Sequence, residues 1–558
     1  MRQPKHFFPV FITLLLLNAT GFTQTKTTNN KLSKSQDWQL LDYQQDTVYG
    51  TSVNRAYKEL LKGKKSHPVI VAVIDEGVDI TQEDLQGHIW TNKKEIPGNG
   101  IDDDKNGYVD DVHGWNFLGG KNGKMVYETN SDADREYARL LPEYGNVTDS
   151  SLQYTDKGYQ YFLKVKKVHI EDSTGRKNFL TPFLPIVDFL HQYTSVDSFF
   201  QLAIQKQHIY FEDIQSYEPV NNSNDSTKKL FLTLWHQTAP NLKSMPLDSI
   251  IMFGEDYMSG LKMEDSLLSK VKDDPYALRK EIVDDNPFDI NDRNYGNNIV
   301  GDKFAGHGTH CASIISAIRG NGIGMDGIAG NVLIMPIRAI NMYQYGDELD
   351  KDVALAIRYA VDNGAKIISM SFGKEFSPQK QWVDEAVKYA EKKGVLLVHA
   401  AGNDNNNIDT AGVYPDPYFI DSSGKANNMI TVGASTADIG FAVPASFSNY
   451  GQKEVDVFAP GVEIYSCAPG NKYESFEGTS AATPVVAGVA ALILEYYPKL
   501  NGQEVKDIIM KSVTSLKGKL VYRPGTETKV DFSTLCVSGG VVNAYNALNL
   551  AATYKKGE

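Results

Sequence analysis

The sequence predicts an open α/β fold: a mostly parallel sheet with helices on both faces. Two observations carry this. Six apolar runs lack the alternation of a half-exposed strand: "VIVAVI" from Val69, "VLIMPI" from Val332, "KIISMS" ending at Ser371, "VLLVHA" ending at Ala400, "MITVGA" from Met429 and "VDVFAP" from Val455. Such runs suit strands buried on both faces, as in a parallel sheet. Helical patterns lie between them. Val353, Ala356, Ile357, Ala360 and Val361 share one face before Gly364, and Val383, Ala386, Val387 and Ala390 do so before Gly394. Both combine helical spacing with a glycine stop. Alternating strand and helix is the order such a sheet requires.

In chain order, residues 1–23 come first. "MRQPKHFFPVFITLLLLNATGFTQ" places Arg2 and Lys5 ahead of an apolar stretch from Phe7 to Leu17, then Ala19 and Gly21. This is the layout of a secretory signal peptide. The stretch is too short to span a bilayer comfortably, and no later run reaches ~18 uninterrupted apolar residues. No cysteine follows it, so no lipid anchor is expected. The mature protein is expected to be exported, periplasmic or secreted, without a membrane anchor. A short polar N-terminal segment, 24–65, follows. Residues 66–120 and 291–558 carry the strand–helix rhythm and form one discontinuous domain. Residues 121–290 break it, with polar "VNNSNDSTKK" set between aromatic "IYFEDI" and "LFLTLW". They are read as a partly helical insertion. A lid or substrate-selecting subdomain that aids folding, and a surface decoration, both remain open, since long loops cost little extra entropy.

Composition excludes some classes. Hydrophobic residues make up 41% and charged residues 22%, which is globular rather than disordered. The net charge of −13 argues against nucleic acid, whose phosphates need a basic face. The three cysteines, Cys311, Cys467 and Cys536, are an odd number, so at least one thiol has no disulfide partner within the chain.

In an open parallel sheet, active residues gather beyond the carboxyl ends of the strands. Asp75 ends the first run, Asn403 follows "VLLVHA" in "AAGND", His307 lies in "GHGTHCASIIS", and Ser480 opens the helix of "EGTSAATPVVAGVAALIL". Each alone has a structural explanation: a turn or cap for Asp75, Ser480 and Asn403, and a satisfied side chain for His307. Together they are the set acyl transfer needs. Serine requires a base, histidine takes its proton, and a carboxylate fixes the imidazole. Asn403 would supply a side-chain N–H to the oxyanion beside the backbone N–H of Ser480. Pro484 is read as fitting the first turn of its helix.

The motifs "VAVIDEGVD", "GHGTHCA", "SMSFG", "AAGND" and "GTSAATPVVAG" resemble those of the subtilisin-like serine proteases, the subtilases, and the order Asp, His, Ser matches that family. The resemblance implies a subtilisin-like fold, the triad Asp75, His307 and Ser480, and Asn403 in the oxyanion hole. It gives His310 a structural role. It further implies that an extended peptide adds as a strand along Ser371, Phe372 and Gly373 and along Ala400, Ala401 and Gly402. The chain is thus expected to be a serine endopeptidase acting on protein or peptide substrates; its oligomeric state is left open, with a monomer favoured. The alternative is a catalytically silent binding or processing-partner module on the same fold, and the intact triad disfavours it.

The chain departs from the pattern in places. Ala481 follows the nucleophile where many subtilases carry methionine, which removes an oxidation target. Cys311 follows "HGTH", as in thiol-bearing members. Asp75 and His307 are 232 residues apart, the excess being the insertion. No cofactor is expected for catalysis, but structural calcium is. "DDDKNGYVDD" sets Asp102, Asp104, Asn106 and Asp110 around Gly107, a loop rich in the oxygen ligands calcium uses. A solvated turn is the competing reading of that loop. The resemblance implies a second calcium site at Asp84 and Asn321, with carbonyls near Ile318, Ile323 and Met325.

Overall fold

The computed structural model describes residues 37–127, 130–148, 151–180, 196–206, 208–220, 222–238, 247, 274–341 and 348–554. The signal-peptide reading at 1–23 lies outside the described residues.

Apolar residues at successive positions leave β1 (Val69–Asp75) without a polar face. The strands that follow in chain order are β2 (Trp115–Asn116), β3 (Val332–Arg338), β4 (Ile367–Met370), β5 (Leu396–Ala400), β6 (Met429–Ser435), β7 (Val457–Pro460), β8 (Ile464–Ala468), β9 (Lys472–Phe476), β10 (Thr514–Ser515), β11 (Leu520–Tyr522), β12 (Lys529–Asp531) and β13 (Gly540–Val541). Nine of them form one sheet in the order β10-β13-β7-β6-β5-β4-β1-β3-β2. Every pairing in it is parallel except β10 with β13 at the edge. β8–β9 and β11–β12 are separate antiparallel hairpins.

The helices that matter for the site are α1 (Asp132–Tyr144), α2 (Gly306–Ser316), α3 (Asp350–Asp362), α4 (Lys380–Lys392), α5 (Thr479–Tyr496), α6 (Gly502–Lys511) and α7 (Ala544–Thr553). They cover both faces of the sheet. On one, Val69, Val71, Val73, Ile367, Leu396 and Val398 pack with α2, α5, α6 and α7. On the other, Ala72, Ile74, Ile368, Met370 and Leu397 pack with α3 and α4. Successive strand residues thus enter two different cores, which is why the runs show no alternation. By length and composition α5 could cross a bilayer, yet 94% of it is buried inside the fold, so it is a core helix.

The chain divides into two compact units, one bounded by 31–146 and 275–558, the other containing 147–274. These bounds differ from the expected ones at both ends. The described part of the N-terminal segment belongs to the main core: Trp38, Leu40, Val53 and Ala56 are buried in it, and the Trp38 indole donates to Val462 O at 3.1 Å. The expected insertion, 121–290, loses both flanks to the larger unit. Its ends supply a buried charge network. Lys374 pairs with Asp132 (2.7 Å) and Asp350 (2.9 Å), and Arg279 bridges Asp285 and Asp352. The smaller unit is helical over Lys157–Leu180 and Asn222–Thr238, with its own core around Phe200, Phe211, Ile214 and Phe231.

Candidate active site

Asp75 is the last residue of β1 and is fully buried. His307 lies in the first turn of α2, and its Nδ1 is 2.8 and 3.0 Å from the two Asp75 carboxylate oxygens. The glycine motif makes this approach possible. A Cβ on Gly308 would lie 2.0 Å from Gly77 O, so only glycine lets α2 come this close to the strand end. The charge balance at His307 follows. Burial disfavours the imidazolium, but Asp75 and Cys311 outweigh it, and the histidine is held well above its usual pKa.

Ser480 is the second residue of α5, and its hydroxyl donates to Ser371 O at 3.1 Å. Its own carbonyl is held unusually. Pro484 is the sixth residue of α5, beyond the first turn where the sequence placed it, and it has no N–H to donate to Ser480 O. The Ser371 hydroxyl donates there instead at 3.0 Å, with the Cys311 thiol at 3.6 Å. The proline thus frees a carbonyl that ties Ser480 to the residue after β4 and to α2.

Asn403 is oriented by Thr479. Its Oδ1 accepts from Thr479 N at 2.8 Å and from the Thr479 hydroxyl at 2.9 Å, which turns the NH₂ end away. Gly402 has φ +96°, and a Cβ there would lie 2.4 Å from Asn449 Nδ2. The bend that presents Asn403 therefore requires glycine. Ser371, Phe372 and Gly373 continue from β4, and Ala400, Ala401 and Gly402 close and follow the neighbouring β5. The structure brings Asp75 and His307 together, and places Ser371, Asn403 and Ser480 around the start of α5. His310 lies apart from the Asp75 pair, bonded to Ser466 Oγ (2.9 Å) and stacked on Phe476. A cavity of about 340 Å³, lined by Tyr108, Arg293, Arg358 and Tyr389 among others, includes none of Asp75, His307 and Ser480.

The model of the subtilase family matches residues 66–532. The chain belongs to this family. It is 38% identical to subtilisin DY of Bacillus licheniformis over 224 residues, 39% of this chain and 74% of that one. It is 42% identical to thermitase of Thermoactinomyces vulgaris over 188 residues, 34% of this chain and 61% of that one. It is 37% identical to a thermophilic serine proteinase of Bacillus sp. (strain AK1) over 242 residues, 43% of this chain and 52% of that one. The matched stretches thus span between half and three quarters of these relatives. The chain is a subtilisin-like serine endopeptidase by family.

In this subtilase all three cysteines are free and buried. The expected calcium ligands behave differently at their two places. Asp84 and Asn321 meet: Asn321 Nδ2 donates to Asp84 Oδ1 at 2.6 Å, and Met325 N donates to Oδ2 at 3.1 Å. Asp84 is fully buried, and burial pushes its carboxyl up. Among the described residues no basic side chain pairs with it, and its two oxygens accept from the Asn321 amide and the Met325 N–H. In the acidic loop Asp102 and Asp104 gather with Glu95, which the sequence reading missed. Asn106 instead donates to Asp111 (3.1 Å). The Asp110 carboxylate accepts from the N–H groups of Gly98, Asn99 and Gly100. Glu95 lies outside the loop spacing, so periodicity gave no sign of it. Thr479 and the Ser371 hydroxyl were likewise invisible as partners, because their roles depend on contacts 76 and 109 residues away.

Proposed function

We propose that the chain is an exported endopeptidase that hydrolyses peptide bonds through an acyl-enzyme on Ser480. The Asp75–His307 contact at 2.8 Å carries this reading. An imidazole whose Nδ1–H is engaged by a buried carboxylate presents Nε2 as a base. Ser480 Oγ attacks the scissile carbonyl and passes its proton to His307. Asp75 stabilises the imidazolium, and the Ser480 N–H and Asn403 NH₂ receive the developing oxyanion. His307 then protonates the leaving amine, and water repeats the sequence to release the acid. The backbone of Ser371–Gly373 and Ala400–Gly402 supplies the strand-pairing surface for an extended substrate. Calcium at Asp84 would hold the 318–325 loop and take no part in the chemistry.

The test is hydrolysis of denatured casein, with products mapped by mass spectrometry. The expected result is endoproteolytic fragments that Ser480→Ala abolishes. Unchanged cleavage by the variant would assign the activity elsewhere, and intact casein with both proteins would favour the silent-module alternative.

A further inference from the structure

A second buried carboxylate lies beside the triad. Glu76 follows Asp75 directly, is only 7% exposed, and accepts a hydrogen bond from the backbone N–H of His307 at 2.7 Å. Its own N–H donates to Asp75 Oδ1 at 2.8 Å. The N-terminus of α2 needs such a partner. Its N-cap residue is Ala305, which makes no side-chain cap, so the first-turn N–H groups depend on acceptors from outside the helix. Glu76 supplies one from just past the end of β1, and its negative charge suits the positive end of the helix.

Placing two carboxylates side by side in a buried site is unfavourable unless cations compensate. The charged groups facing Glu76 are Asp75 beside it in the chain, His307 on α2 and Arg338 on β3. Arg338 is 1% exposed and lies opposite Asp75 in the strand register. It is itself bound by Asp302 at 3.0 Å, and Asp302 accepts from the Tyr127 hydroxyl. The charge that appears beside Glu76 during the reaction is the His307 imidazolium.

We propose that Glu76 is a positioning residue for His307: it caps the helix that carries the histidine and, with Asp75, stabilises the imidazolium formed in each proton transfer. Asp75 acts through the ring, and Glu76 through the backbone and its field. Burial, partly offset by the His307 charge, pushes the Glu76 carboxyl up to about 7. Its charge is therefore present in the alkaline range and lost on acidification, which adds a second proton to the acid limb of activity. The inference deepens the serine-peptidase reading and rests on it.

Glu76→Gln keeps the acceptor for the His307 N–H and removes the charge, while Glu76→Ala removes both. Two readouts apply to the full chain. One is the His307 titration by nitrogen-15 NMR in a Ser480→Ala background, which needs no turnover. The other is kcat/KM against pH for a peptide p-nitroanilide. The expected result for Glu76→Gln is a His307 midpoint and an acid limb both lower by about one pH unit, with KM unchanged. Glu76→Ala should in addition lose about tenfold or more in kcat on the alkaline plateau. A Glu76→Gln protein whose His307 midpoint coincides with the parent overturns the proposal, and it decides the matter even if Glu76→Ala does not fold. Absence of turnover in the parent, with a shifted His307 midpoint, would instead count against the peptidase reading alone.

Discussion

The Ser371 hydroxyl donates to the Ser480 carbonyl at 3.0 Å, in the place of the N–H that Pro484 lacks. The residue that follows β4 thereby fixes the backbone of Ser480. Ser371→Ala leaves a buried carbonyl with only a weak thiol donor. The expected loss is about 1–2 kcal/mol of stability, read from urea unfolding, with the larger effect on kcat than on KM.

The proposed oxyanion role of Asn403 needs its NH₂ end free, and Thr479 holds the Oδ1 end. Asn403→Ala is expected to lower kcat by ~10²–10³, a size taken from the corresponding asparagine of a subtilisin. Thr479→Val removes one of the two donors to Asn403 Oδ1. It should cost about tenfold in kcat with little change in KM, because the remaining N–H holds the amide less firmly. A Thr479→Val enzyme with parental kcat would show that the backbone N–H suffices.

The raised pKa of His307 has a defined sign. The base must be neutral, so kcat/KM should rise with pH to a plateau well above the usual histidine range near 6.5. Stability runs the other way. The His307–Asp75 contribution is fully present below the unfolded histidine value and is lost as pH rises through the folded one. A pH–rate profile already flat at pH 6 would contradict the site electrostatics.

Calcium at Asp84 predicts a metal-dependent melting temperature. Removing divalent ions with a chelator should lower it, and added calcium should restore it in the parent but not in Asp84→Ala. Equal melting in chelator and calcium would leave Asp84 a carboxylate satisfied by Asn321 and the Met325 N–H alone.

Lys374 follows Gly373 and is buried between Asp132 and Asp350. Lys374→Met removes the cation shared by two buried carboxylates, leaving Asp132 with Arg135, and is expected to cost about 3 kcal/mol. Denaturant unfolding reads the loss, and a raised KM for extended peptides should accompany it.

Much of this was legible in the sequence. The central strands declared themselves because both of their faces enter a core, so runs such as Val69–Ile74 were wholly apolar. The four chemical residues stood in motifs whose glycines are demanded by close approach, as Gly308 and Gly402 show. What escaped was contact between residues far apart in the chain. Nothing local marks Thr479 as the partner of Asn403, Glu76 as the cap of α2, or Glu95 as the neighbour of Asp102 and Asp104. The two-residue strands β2, β10 and β13 are too short to carry a period. The flanks of the insertion looked irregular because they serve the larger unit through buried ion pairs, such as Asp132 with Lys374, rather than through an apolar stripe.

The most direct measurement is labelling of the purified protein by a fluorophosphonate, beside Ser480→Ala, with the modified peptide mapped by mass spectrometry. The account predicts a single label on Ser480 that the variant abolishes. A folded protein that takes no label, or takes it elsewhere, would contradict the claim that Ser480 is a working nucleophile.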